Sequence, residues 1–129
     1  VAVAVVACGG LAACDGPAAA PPPPRLVFWT QSAHGDYQER GSIGRAELDG
    51  SGARGHFVAA ARAPAGIAIG DGYLFWANDG SFTIGRARLD GSEVENRFVK
   101  NVYPTGVAVE GGHLYWTSSS FDPNRGAIG

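Results

Sequence analysis

Residues 64–100 open as Pro64-Ala-Gly-Ile-Ala-Ile-Gly-Asp-Gly-Tyr-Leu-Phe-Trp76 and continue through Asn78-Asp-Gly, Ile84-Gly-Arg-Ala-Arg-Leu-Asp-Gly-Ser92 and Phe98-Val99. The same words stand upstream as Leu26-Val-Phe-Trp29, Ile43-Gly-Arg-Ala-Glu-Leu-Asp-Gly-Ser51 and Phe57-Val58. Downstream they return as Pro104-Thr-Gly-Val-Ala-Val109, His113-Leu-Tyr-Trp116 and Gly126-Ala-Ile-Gly129. Trp29, Trp76 and Trp116 recur at intervals of 47 and 40 residues, and Asp49 and Asp90 lie 41 apart. The chain is an internal repeat of about 40 residues.

Its pieces are strand-like. In residues 73–77, Leu74 and Trp76 fall on one side and Tyr73 and Phe75 on the other, because side chains alternate along a strand. Both sides are apolar, so both must be covered, as in a sheet packed between two others. No stretch of the repeat has the i, i+3, i+4 spacing that a helical repeat of this length needs. The class is all-β, and the period points to propeller blades of four antiparallel strands.

Strands are predicted at 26–30, 42–48 and 56–60, then 66–70, 73–77, 82–89 and 96–100, then 106–109 and 113–117. Asp49-Gly50, Asp71-Gly72 and Asp90-Gly91 read as two-residue hairpin turns, for which Asp-Gly supplies positive φ values. Only the central unit is complete. The first lacks an innermost strand, and the third stops at Gly129, where earlier copies continue with Arg45-Ala46 and Arg86-Ala87. The units fall at about 26–63, 64–103 and 104–129, so about two and a half blades are expected within 26–129.

The first residues differ in kind. Residues 1–13 are small and apolar, too short to span a bilayer as a helix but suited to the hydrophobic part of a secretory signal. Leu11-Ala12-Ala13-Cys14 resembles the bacterial lipobox, in which cleavage leaves Cys14 N-terminal and lipidated. That resemblance implies a protein held by lipid on the extracytoplasmic side of a bacterial membrane, with 14–25 as an Ala/Pro-rich spacer that Pro21-Pro-Pro-Pro24 stiffens. Cys8 and Cys14 are the two cysteines of the chain, so residues 26–129 hold neither a disulfide nor a thiolate metal site.

The recurrence of Tyr115-Trp116-Thr117 and Ile84-Gly-Arg-Ala-Arg-Leu-Asp-Gly-Ser92 resembles the class B (YWTD) repeat of the low-density lipoprotein receptor family. It is also similar to NHL-type and virginiamycin B lyase-like propellers. The resemblance covers 26–129 and implies a six-bladed ring of which this chain is a fragment. A ring assembled from several chains is the alternative. The Asp that closes the family's Tyr-Trp-Thr-Asp word is replaced here by Gln31, Asn78 and Ser118.

The formal charge of −2 is small and the basic residues are scattered, which argues against a nucleic-acid partner. A meander places the short Asp-Gly and Gly-Gly turns at one end of the sheets and the variable loops at the other. Variable loops on a rigid scaffold carry recognition. There His34, Asp36, Tyr37, Tyr103, Phe121 and Arg125 offer aromatic and charged contacts to a protein, peptide or glycan. The three tryptophans are expected in the core, Arg45 and Arg86 in bonds between blades, and His113 in packing. No Gly-x-Ser-x-Gly elbow, helical His pair or EF-hand spacing is present, so no catalytic residue, metal or cofactor is assigned. A binding scaffold is the expected function, and a streptogramin-lyase-like enzyme fragment is the alternative.

Overall fold

The structure, a computed structural model, describes residues 4–7, 25–32, 40–118 and 127–128. Among these the chain is all-β, with one short 3-10 turn. The strands are β1 (Ala4–Ala7), β2 (Leu26–Gln31), β3 (Arg40–Glu47), β4 (Arg54–Arg62), β5 (Pro64–Gly70), β6 (Tyr73–Asn78), β7 (Thr83–Arg88), β8 (Glu95–Lys100), β9 (Pro104–Glu110), β10 (His113–Ser118) and β11 (Ala127–Ile128). They form two four-stranded antiparallel sheets, β1-β2-β3-β4 and β5-β6-β7-β8, and a three-stranded sheet, β9-β10-β11.

Each predicted strand is present, most of them a residue or two longer than read. Their shared register explains the repeated Ile-Gly-Arg word. Trp29 lies opposite Gly44, and Trp76 opposite Gly85. Each indole lies flat across its glycine, so that a Cβ on Gly44 or Gly85 would sit 2.1 or 2.3 Å from the ring. Glycine is required there for space, since neither has a positive φ.

One core joins the first two sheets. Leu26 and Phe28 of β2 meet Leu74 and Trp76 of β6, with Ile43, Val58, Ile67 and Ala87 around them. Phe28, Leu74 and Trp76 are fully buried, each stabilising the pair of sheets by about 1.5–3 kcal/mol relative to exposure. Phe57 packs on Phe28 and against the Asp90-Gly91 turn, where a Cβ on Gly91 would lie 2.9 Å from its ring. The third sheet stacks on the second through β9, which packs against β5 and β6. Gly66 and Gly106 allow the two backbones to approach, and Val109 covers Gly70.

Two expectations are corrected. The seat inside β2, read as vacant, is taken by Ala4–Ala7, which pairs antiparallel with Leu26, Val27, Phe28 and Trp29. A short run of small and β-branched residues satisfies a strand edge as well as it does a signal's apolar stretch, so hydropathy does not separate the two. The Asp49-Gly50 and Asp90-Gly91 turns are also different in kind from Asp71-Gly72. In the latter, both residues have positive φ (51° and 79°) and a two-residue loop closes. In the former, only Gly50 (85°) and Gly91 (92°) do. Gly50 N–H donates to Glu47 O and Glu47 N–H to Ser51 O, both at 2.9 Å, giving a three-residue loop with the glycine left-handed at its end. Ser51 and Ser92 decide this, because their N–H groups donate to Asp49 Oδ1 and Asp90 Oδ1 at 2.9 and 2.8 Å.

Candidate binding face

The two ends of the stack differ in chemistry. At the tight-turn end the contacts are charged. Arg88 pairs with Glu93 at 2.8 Å, and Tyr73 Oη donates to Glu93 Oε2 at 2.9 Å. The Arg88 bond, then the Tyr73 bond, holds the Glu93 carboxyl below its ordinary value. The Ser92 hydroxyl and N–H do the same for Asp90, and Ser51 does so for Asp49. Arg45 lies over the Phe57 ring at 4.8 Å and reaches Leu89 O of the second sheet at 3.5 Å, the expected bond between repeats. Arg86, its counterpart, is turned to its own sheet instead. It pairs with Glu95 at 2.7 Å and stacks on Phe98 at 4.0 Å.

The loop end is tied together by a chain of hydrogen bonds running from sheet to sheet. Ser32 Oγ donates to Pro64 O at 2.8 Å, and Asp79 N–H to Ala63 O at 3.3 Å. Asn78, buried, accepts Arg62 N–H on its amide oxygen at 3.1 Å and donates from Nδ2 to Asn96 O at 3.0 Å. Ser118 Oγ donates to Val102 O, whose residue in turn donates its N–H to Phe82 O at 3.2 Å. Asn78 and Ser118 thus act as neutral hydrogen-bonding groups that link successive repeats.

On this tied end two aromatic side chains stand in the open. Phe82 and Tyr103 are 39% and 43% exposed, and their ring centroids are 4.4 Å apart with planes tilted by 35°. Both backbones are left-handed, at φ 55° and 46°. A bulky residue in that region is a conformational outlier, at a cost of about 1–3 kcal/mol each. Phe82 holds it by donating its N–H to Asp79 O at the end of the 3-10 turn Asp79–Ser81. Neither ring is fully buried, so the strained backbone holds two partly exposed rings in contact.

Of the six residues expected at this end, Tyr103 is described: it lies between β8 and β9 and is exposed. His34, Asp36, Tyr37, Phe121 and Arg125 lie outside the described residues, as does Cys14. Phe82 was missed because it reads as the first residue of a strand. Its position directly after Asp79-Gly-Ser81, a turn-forming run, was the available signal. His113 does not pack as expected. It is exposed, with Nδ1 2.9 Å from Gly111 O and its ring 6.3 Å from Tyr115. Trp76 is fully buried, while Trp29 and Trp116 are half-buried.

The chain matches no family model, and a search of the curated proteins finds no match.

Proposed function

We propose that this chain is part of an exported, lipid-anchored β-propeller that acts as a non-catalytic binding scaffold, taking a protein, peptide or glycan at its loop end. The Phe82–Tyr103 pair carries the reading, because two partly exposed rings in contact on strained backbone, beside a hydrogen-bonded platform, favour recognition. Support for the propeller is the 40-residue repeat together with stacked antiparallel sheets and its resemblance to the YWTD class. Support for the anchor is Leu11-Ala12-Ala13-Cys14.

The binding test is a screen of the full chain against immobilised peptides and glycans, repeated with Tyr103→Ala and Phe82→Ala. Ligands should be found, and each variant should weaken them by about tenfold, the 1.4 kcal/mol expected for truncating an aromatic contact. No ligand in either class, or binding indifferent to both variants, refutes the reading. The anchor is tested by expression in a bacterial host with a radiolabelled fatty acid: label should enter the protein and be lost in Cys14→Ser.

A further inference from the structure

Residues 40–118 contain four Asp-Gly pairs: Asp49-Gly50, Asp71-Gly72, Asp79-Gly80 and Asp90-Gly91. An aspartate before glycine is open to attack on its side-chain carboxyl by the next amide nitrogen, because glycine has no Cβ to block the approach. The reaction needs a protonated carboxyl, a free N–H on the glycine and an aspartate backbone that can rotate. The fold meets these needs unequally.

Asp49 and Asp90 are secured twice. Their carboxylates accept the Ser51 and Ser92 N–H groups at 2.9 and 2.8 Å, and Asp90 also takes the Ser92 hydroxyl at 2.6 Å. The reacting nitrogens are engaged as well, since Gly50 N–H donates to Glu47 O and Gly91 N–H to Arg88 O, both at 2.9 Å. Ser51 and Ser92 hold the two carboxyls below their ordinary value, which keeps them ionised. Asp79-Gly80 is half-buried, and the Asp79 backbone is fixed on both sides: its N–H donates to Ala63 O and its O accepts from Phe82 N–H.

Asp71-Gly72 has none of these restraints. The pair is exposed at the two-residue turn between β5 and β6, and a Cβ placed on Gly72 would meet nothing within 4 Å. Among the described residues, nothing donates to the Asp71 carboxylate and nothing accepts the Gly72 N–H.

We propose that Asp71 is a site of spontaneous aspartate isomerisation, from which the Asp49 and Asp90 turns are protected by their serines. Gly72 N bonds to Cγ of the protonated carboxyl, and the carboxyl hydroxyl leaves as water with the amide proton, closing a succinimide. Water then adds back, so the mass is unchanged. Opening at Cγ returns aspartate. Opening at the α-carbonyl breaks its bond to Gly72 N and leaves the main chain running through Cβ and Cγ, an isoaspartate. The extra methylene enters the turn that pairs Gly70 with Tyr73, beside the contact of Val109 with Gly70. This goes beyond the binding reading and does not depend on it.

Peptide mapping of the full chain, held for weeks at neutral pH in heavy-oxygen water, tests it. Fragmentation spectra locate isoaspartate, and each ring opening adds one heavy oxygen. The expected result is accumulation at Asp71 at least about tenfold faster than at Asp49 or Asp90, where attack must first break a bond to a charged group. In urea, where the turns are unfolded, the three rates should converge. Ser92→Ala, with unchanged circular dichroism, removes the hydroxyl bond and should raise the rate at Asp90 while leaving Asp49 and Asp71 as they were. A native chain in which Asp71 only keeps pace with Asp49 or Asp90 overturns the proposal. A preference for Asp71 that persists in urea overturns it equally, since it would then belong to the local sequence and not to the fold.

Discussion

Replacing Gly85 by alanine isolates the pairing that gives the repeat its Ile-Gly-Arg word. The new methyl would lie 2.3 Å from Trp76 Cε2 and 2.5 Å from Cζ2, well inside contact distance. Trp76 cannot withdraw, because it is fully buried between two sheets with Ile67 and Leu74. Overfilling a packed core costs about 1–3 kcal/mol. Against this, alanine recovers about 0.5–1 kcal/mol of backbone entropy in a strand. The steric term is the larger, so Gly85→Ala should destabilise by about 1–2 kcal/mol net, a fall of roughly 5–15 °C in Tm. Gly44→Ala is the internal control: its clash with Trp29 is as close, at 2.1 Å, but Trp29 is half-buried and can tilt outward. It should cost less than half as much. Thermal and urea unfolding monitored by tryptophan fluorescence measure both. Equal effects, or Gly85→Ala within about 0.5 kcal/mol of the parent, refute the stacking argument.

Acid unfolding should report the Asp turns. Asp49 and Asp90 are held below their ordinary value by the Ser51 and Ser92 bonds, so the stability they contribute is complete above the ordinary carboxylate value and is lost as pH falls through their lowered values; Asp49→Asn/Asp90→Asn should lower stability at neutral pH, approach the parent in acid, and so flatten that limb of the unfolding curve. Arg86→Gln should change stability by about 0.5 kcal/mol or less, because its Glu95 partner is 53% exposed, measured by urea midpoint in low and high salt. A chain beginning at Cys14 lacks β1; about four ladder bonds worth near 1 kcal/mol each oppose about 1–2 kcal/mol of ordering per residue, so Tm should move little. Amide exchange within Leu26–Gln31 should nonetheless rise, and unchanged protection there would contradict the β1 pairing.

Much of the fold is legible because it rests on local signals that recur. Trp76 and Gly85 repeat in phase with Trp29 and Gly44, alternation in Tyr73–Asn78 marks both faces as covered, and Asp71-Gly72 forces a tight hairpin. What escaped the sequence depends on competition between equally good local solutions. Ala4–Ala7 is apolar enough for an export signal and for a strand edge, and only the open side of β2 decides. Asp90-Gly91 suits two turn types, and the Ser92 N–H and hydroxyl on the Asp90 carboxylate select one of them. The candidate site was half legible. Tyr103 follows from loop placement, whereas Phe82 becomes visible only when the chain is seen to turn left-handed at both residues and bring the rings together.

The central claim is that the repeated words build equivalent sheets stacked face to face. Proton NMR of the full chain tests it most directly through one inter-sheet contact, the Phe57 ring of the first sheet against the Gly91 turn of the second. The account predicts a strong nuclear Overhauser effect between the Phe57 ring protons and the Gly91 α-protons, with the Gly85 α-protons shifted upfield beneath the Trp76 indole. Ring-shifted Gly85 protons with no Phe57–Gly91 effect would leave the sheets intact but contradict their stacking.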